Sequence, residues 1–204
     1  SLFSQFKSEH LQVSSGEYGV AISINIGTPR MLLALNTEGG ELLRKLTDNA
    51  EFTDEKKWEA LEILDAMPHI TEQTSNEFVP QHLNLQAIAG IDFNKGCYMG
   101  QETIARTKFL GRNKRASYIL KRLGKSNNES QEHINIDAGS ALEKKVREGE
   151  NWRSGGTVLQ SLSQDSETTL LSVLANDTQT GDVLRLKEQP EHHFEVCALP
   201  YELD

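Results

Sequence analysis

Cys97 is the residue of this sequence best suited to nucleophilic or redox chemistry, and it lies between Gly96 and Gly100. The two glycines allow a tight backbone path, and the residues Gln101–Phe109 that follow have the pattern of a short helix. A thiol just before a helix N-terminus, with Lys95 nearby, is expected to favour the thiolate, because unpaired backbone N-H groups and a cation stabilise negative charge. The alternative is a cysteine that only packs, as free cysteines commonly do.

Basic side chains are concentrated after this cysteine. From Lys95 to Arg115 there are six basic residues and one acid, Glu102, in a chain whose net charge is -9. This local excess of positive charge predicts an anion-binding site, although a solvated helix face has the same pattern. We call the later basic residues the anion patch, and they are Lys108, Arg112, Lys114 and Arg115.

The other residue types that carry chemistry are less informative. The histidines show no metal-ligand spacing, and Cys197 stands in an alternating segment typical of a structural strand. Two cysteines are too few for a disulfide framework and fit a reducing compartment, so we expect a cytoplasmic protein. The chain has no apolar run long enough to cross a membrane, and no membrane partner is predicted.

The N-terminal half has the composition of an α+β layer. Residues 1–10 have helical spacing, residues 17–25 and 30–36 predict a β-hairpin, and residues 37–46 predict a helix. A second helix is predicted over residues 53–66, with Thr53 as its N-cap and Pro68 after its end.

The C-terminal half predicts a small antiparallel barrel or sandwich, because short strand-like runs alternate with turns. The predicted domains are therefore residues 1–115, an α+β domain, and residues 116–204, a β domain. Strands are predicted at residues 116–123, 141–146, 156–161, 168–175, 182–187 and 193–199. Turns are predicted at residues 137–140, 154–156, 164–166 and 176–178, and a surface loop at residues 125–132.

The octapeptide K-G-C-Y-M-G-Q-E, from Lys95 to Glu102, resembles the K-G-C-Y-x-G-Q-E signature of the YgfZ family. Members of that family are folate-binding, tRNA-modification-associated relatives of the glycine-cleavage T-protein, an aminomethyltransferase. The similarity begins well inside the family's length, so about its N-terminal third is expected to be absent. It extends to residues 78–81, 84–87, 108–109, 113–115, 150–153, 156–159 and 199–201.

This resemblance implies a ferredoxin-like or T-protein-like α+β domain followed by a C-terminal β-barrel. It implies tetrahydrofolate or a derivative, including polyglutamylated forms, as the ligand, with Trp58 stacked on the pterin. A core tryptophan is the alternative for Trp58. The residues expected to shape or line the site are Tyr98, Gln101, Glu102 and Arg106.

One departure concerns pterin recognition. T-protein relatives carry a glutamate in an I/L-E-A-G-like sequence, whereas this chain has Ile63-Leu64-Asp65-Ala66. Leu64 thus stands where the carboxylate belongs, and Asp65 is displaced by one residue, a rotation of about 100° on a helix. Pterin recognition in the T-protein manner would require a rotated helix.

Three functions remain open from the sequence. The first is an accessory folate-binding protein that supports iron-sulfur enzymes, including those that thiomethylate tRNA. The second is a folate-dependent one-carbon transferase, disfavoured because the family's catalytic carboxylate lies in the N-terminal part. The third is an interaction module in which Cys97 is inert. For the anion patch a polyglutamate tail is preferred over tRNA, because the whole chain is acidic and exposed aromatic residues are not evident.

Overall fold

The fold was obtained as a computed structural model that describes residues 9–48, 50–111, 113–124, 134–146, 151–164 and 167–203. The chain divides into two compact units, Ser1–Trp58 and Glu59–Asp204. The domain boundary predicted after residue 115 stays a prediction. Several predictions fall outside the described residues. They concern Arg112 of the anion patch, most of the predicted N-terminal helix, the predicted loop at 125–132, and Asp165 and Ser166 of a predicted turn.

The first unit contains a three-stranded antiparallel sheet in the order β1-β2-β3. Strands β2 (Gly19–Ile24) and β3 (Arg30–Leu35) form the predicted hairpin. Strand β1 (Val13–Gly16) was not predicted, because its sequence, Val-Ser-Ser-Gly, lacks the apolar alternation of a typical strand. It is held instead by its pairing with β2.

Two helices follow this sheet along the chain. Helix α1 (Thr37–Leu46) has the predicted bounds and begins after Asn36, whose side-chain oxygen accepts a hydrogen bond from the Gly39 N-H at 2.8 Å. Helix α2 covers Glu55–Leu64, so it begins one residue too late for Thr53 to be its N-cap. It ends before Ala66, which has a left-handed φ of 50°.

The second unit is built on a closed barrel of six antiparallel strands in the order β4-β7-β6-β5-β8-β9. The mixed α and β fold with a C-terminal antiparallel barrel is therefore confirmed. The strands are β4 (Arg115–Arg122), β5 (Ala141–Lys145), β6 (Trp152–Gln164), β7 (Glu167–Ala175), β8 (Val183–Leu186) and β9 (His193–Val196).

Apolar residues lie on both faces of several barrel strands. One cluster includes Leu120, Leu170 and Phe194, each fully buried. A second cluster packs Leu171 and Val173 of the barrel against the end of α2 and the segment that follows it. The second core joins the barrel to residues 63–85 of the same unit.

The predicted turn at residues 154–156 is wrong, because these residues lie inside strand β6. Gly156 has a φ of 152°, and a Cβ there would lie 2.2 Å from the Val173 carbonyl oxygen. The β5-β6 register shifts opposite this point, between Leu142 and Glu143. Glycine here marks a bulge with close backbone approach rather than a turn.

Asn84 connects the segment before the signature to the barrel. Two short 3₁₀ helices, Glu72–Thr74 and Pro80–Leu83, precede it. The fully buried Asn84 side chain donates to the Ser117 carbonyl at 2.7 Å and accepts from the Ser117 N-H at 3.0 Å. Nearby, the Tyr201 hydroxyl donates to the Ala66 carbonyl at 3.0 Å.

We expect Asn84→Ala to lower the free energy of unfolding by about 3 kcal/mol, because it leaves a buried N-H and a buried carbonyl of Ser117 unpaired. Asn76 is the matched control, since it also has a positive φ, 62°, but is exposed. Asn76→Ala should lower the same quantity by less than about 1 kcal/mol. The measurement is urea unfolding followed by circular dichroism, and equal losses for the two variants would contradict this account.

Candidate functional site

The signature segment, residues 95–102, forms an exposed loop that leads into helix α3 (Gln101–Phe109). The helix has the predicted bounds. Gly100 is its N-cap, with a φ of 88° that favours glycine. Cys97 is exposed in the loop before it, so the structure places this thiol where a reagent or ligand can reach it.

The backbone donors at the start of α3 are largely occupied. The N-H of Gln101 donates to the Tyr98 carbonyl at 3.2 Å, and the N-H of Thr103 donates to the Gly100 carbonyl at 3.1 Å. The Ile104 N-H also donates to Gly100, at 3.4 Å. The helix start therefore offers Cys97 fewer free N-H groups than the sequence predicts.

The ionic residues of the signature segment have their own partners. The ammonium of Lys95 lies 4.7 Å from the ring centroid of Tyr98. Glu102 and Arg106 form an ion pair with 2.6 Å between oxygen and nitrogen, one helical turn apart. The activation of Cys97 by Lys95, and the roles of Tyr98, Gln101, Glu102 and Arg106, stay predictions.

The described members of the anion patch are all exposed. The Lys108 ammonium lies 3.7 Å from the ring centroid of Phe93, a cation-π contact. Lys114 and Arg115 lie where the chain enters strand β4, and the Asn176 side chain holds this entry by donating to the Asn113 carbonyl at 2.7 Å. Anion binding here stays a prediction.

Helix α3 is attached to the rest of its unit mainly through its inner side. No residue of the helix is fully buried. Gln81, only 3% exposed, donates from its side chain to the Ile104 carbonyl at 2.7 Å. Sequence reasoning missed this positioning residue, although it stands in the 78–81 segment that supports the family resemblance.

His82 lies next to this contact and adds no positive charge to the patch at neutral pH. Burial lowers the pKa of His82 below its ordinary value of 6.5, and the nearby charge of Arg115 lowers it further. Its ring meets that of Phe78 edge to face, at 6.5 Å between centroids. The imidazole therefore acts as a neutral packing group.

Trp58 belongs to the first unit, whereas the signature segment belongs to the second. It is half-buried, and the Arg30 guanidinium lies 4.8 Å from its ring centroid. An aromatic face already paired with a cation is suited to receive a flat ring with acidic substituents. Stacking on folate stays a prediction for this residue.

The structure shows where Asp65, the candidate to replace the family's pterin-binding glutamate, lies. Leu64 is exposed, whereas Asp65 is 1% exposed. Glu62, which sequence reasoning overlooked, is also buried, and its carboxylate lies 3.2 Å from the His69 ring nitrogen. Asp65 is therefore turned inward within its own unit and does not present a carboxylate to solvent.

The chemistry of the signature segment fits tetrahydrofolate. That molecule has two ring systems and at least two glutamate carboxylates, so a site for it needs aromatic faces and cations. Tyr98 supplies a ring, Lys95 and Arg106 supply cations, and the half-buried Gln101 supplies an amide that donates and accepts. These residues are the ones that would hold the ligand in this unit.

Two further observations limit the chemistry of the described residues. Among them, no group of three or more His, Cys, Asp or Glu side chains is placed to bind a metal ion. In the same part of the chain, no helix is both long and apolar enough to cross a membrane. The reactive role of the exposed Cys97 stays a prediction.

The fold and site define a class of protein: an α+β chain in which an exposed cysteine loop and helix precede a closed six-stranded antiparallel barrel. Residues 113–189 match the family model described as the YgfZ β-barrel domain. The chain belongs to the YgfZ family.

Relatives named "tRNA-modifying protein YgfZ" align with most of the chain. The protein of Photobacterium profundum is 41% identical over 187 residues, 89% of this chain and 54% of the relative. The protein of Pectobacterium carotovorum is 40% identical over 100% of this chain and 59% of its own length. The protein of Vibrio atlanticus is 40% identical over 95% of this chain and 56% of its own length. The chain therefore spans slightly more than half the length of these curated relatives.

We expect iodoacetamide to alkylate Cys97 much faster than Cys197 in the folded chain at neutral pH. Cys97 is exposed, whereas Cys197 is half-buried and its thiol points to the Glu195 carbonyl at 3.8 Å. Burial also raises the pKa of Cys197, so less of its reactive thiolate is present. Rates measured by mass spectrometry on Cys97→Ser and Cys197→Ser variants separate the two sites, and faster labelling of Cys197 would refute the assignment.

Proposed function

We propose that this chain acts in the cytoplasm as a folate-binding accessory protein that supports iron-sulfur enzymes of tRNA modification. The observation that carries the proposal is the exposed signature segment, in which Cys97 is exposed and the next residue, Tyr98, has the Lys95 ammonium 4.7 Å from its ring centroid. Arg106, on the helix that follows, adds a second cation. The name of the relatives, tRNA-modifying protein YgfZ, supports the link to tRNA.

The residues have distinct roles in this proposal. Tyr98 packs against a ring of the ligand, while Lys95 and Arg106 bind its carboxylates. Gln101 provides directional hydrogen bonds, and Glu102 orients Arg106 through their ion pair. A bound one-carbon derivative of tetrahydrofolate would supply a one-carbon unit, and tetrahydrofolate itself would accept one. The exposed Cys97 thiol is available for covalent contact with a partner.

Trp58 gives the first unit an aromatic face of its own. A ligand ring that stacks there would share or replace the contact with Arg30, which now lies 4.8 Å from the indole centroid. Aromatic stacking adds about 1 kcal/mol beyond the burial of apolar area. That energy corresponds to about a fivefold change in affinity.

We therefore expect Trp58→Ala to weaken tetrahydrofolate binding about fivefold or more, and Trp58→Phe to retain most of the affinity. The measurement is isothermal titration of the full chain. Trp152→Phe is the matched control, because Trp152 packs on Arg185 of the barrel at 4.3 Å and should leave the affinity unchanged. Unchanged affinity in Trp58→Ala would assign this residue to packing, and no binding by the unmodified chain would refute the folate proposal.

A further inference from the structure

Helix α3 and the residue after it carry exposed apolar side chains that the sequence did not lead us to expect. Phe109 is 73% exposed and Leu110 is 57% exposed. The expectation that this region lacks an exposed aromatic residue is therefore wrong. That expectation was one of the two reasons for preferring a polyglutamate tail over RNA as the ligand of the basic residues.

The exposed residues form one stripe along the helix. Glu102, Arg106 and Phe109 are spaced i, i+4 and i+7, so they lie on the same side. The opposite side is half-buried at Ile104, and Gln81 binds it through the Ile104 carbonyl. We call the stripe, together with Lys108, the α3 outer face.

One cation lies near the aromatic ring of this face, and others are close to it along the chain. Lys108 has its ammonium 5.8 Å from the Phe109 ring centroid, and Arg106 lies one turn earlier on the helix. Lys114 and Arg115 follow within six residues of Phe109 along the chain and are exposed. Glu102 is the acid of the stripe, and it is paired with Arg106.

We propose that the α3 outer face, with Lys114 and Arg115, binds unpaired nucleotides of an RNA. A base stacks on Phe109, and neighbouring phosphates contact Arg106, Lys108, Lys114 and Arg115. This inference rests on the proposed function for its link to RNA but does not require folate.

The combination of a ring and cations favours unpaired RNA over an acidic protein segment. An exposed ring flanked by cations matches the alternation of base and phosphate in a single strand. Duplex RNA offers phosphates but keeps its bases stacked internally, so it cannot use Phe109. An acidic peptide uses the cations but gains less from a ring with which it cannot stack.

Glu102 provides a sharp test because its carboxylate competes with phosphate for Arg106. Glu102→Gln retains the side-chain shape and releases the guanidinium. RNA affinity should then rise, and the slope of log affinity against log salt should steepen by about 0.7 for one added phosphate contact. An apolar docking surface would not change its salt dependence in this way.

The experiment measures binding of the full chain to a fluorescein-labelled RNA hairpin with a single-stranded loop, by fluorescence anisotropy. A blunt RNA duplex with the same number of phosphates is the comparison. The hairpin should bind more tightly. Phe109→Leu should weaken hairpin binding about tenfold and duplex binding little, whereas Phe109→Tyr should retain affinity. Phe52→Leu is the matched control, because Phe52 is 82% exposed but lies among acids, and it should have no effect.

Three outcomes would overturn the proposal: equal binding of hairpin and duplex, no effect of Phe109→Leu, or displacement of the hairpin by a polyglutamate peptide at equal charge concentration. The last outcome would identify an acidic protein segment as the ligand. Tetrahydrofolate titration of Phe109→Leu separates this inference from the proposed function, since that variant should bind folate normally. RNA binding without folate binding would refute the folate proposal alone.

Discussion

The hydrogen bonds between the Asn84 side chain and the main chain of Ser117 are the constraint on which the second unit depends. In the barrel, β9 pairs with β4 only from Leu120 to Arg122. The first half of β4 therefore has β7 on one side, and no strand among the described residues pairs with its other side. Asn84 binds both the N-H and the carbonyl of Ser117 there, as a neighbouring strand would. One amide thus completes the sheet and fixes the path of the preceding segment.

The Asn84 contacts lie between a well-packed barrel and helix α3, which makes few contacts outside itself. Gln81, three residues before Asn84, is positioned by the same connection and binds the middle of α3 through the Ile104 carbonyl. Helix α3 itself buries no residue, so its stability depends on few contacts outside the helix. Cys97, Arg106 and Phe109 are therefore presented to solvent from a helix and loop that a ligand can further order.

The sequence predicted elements whose signals are local and missed those that depend on distant partners. Helices α1 and α3 were predicted to their ends, because leucine spacing marks α1 and glycines flank α3. Strand β1 and the bulge at Gly156 depend on pairing across the sheet, which composition does not show. For the site, the motif identified Cys97 and its basic neighbours, but the burial of Gln81 and the exposure of Phe109 are properties of the folded chain.

Amide hydrogen exchange with mass spectrometry tests the central claim most directly. That claim is that the signature segment binds a ligand and that its amides are less protected from exchange than those of the barrel. In the free chain, amides of residues 95–110 should exchange at least about a hundredfold faster than those of strand β7. Tetrahydrofolate should slow exchange in residues 95–110 and leave β7 unchanged. Protection of α3 equal to that of β7 in the free chain, or a ligand effect confined to other residues, would contradict the account.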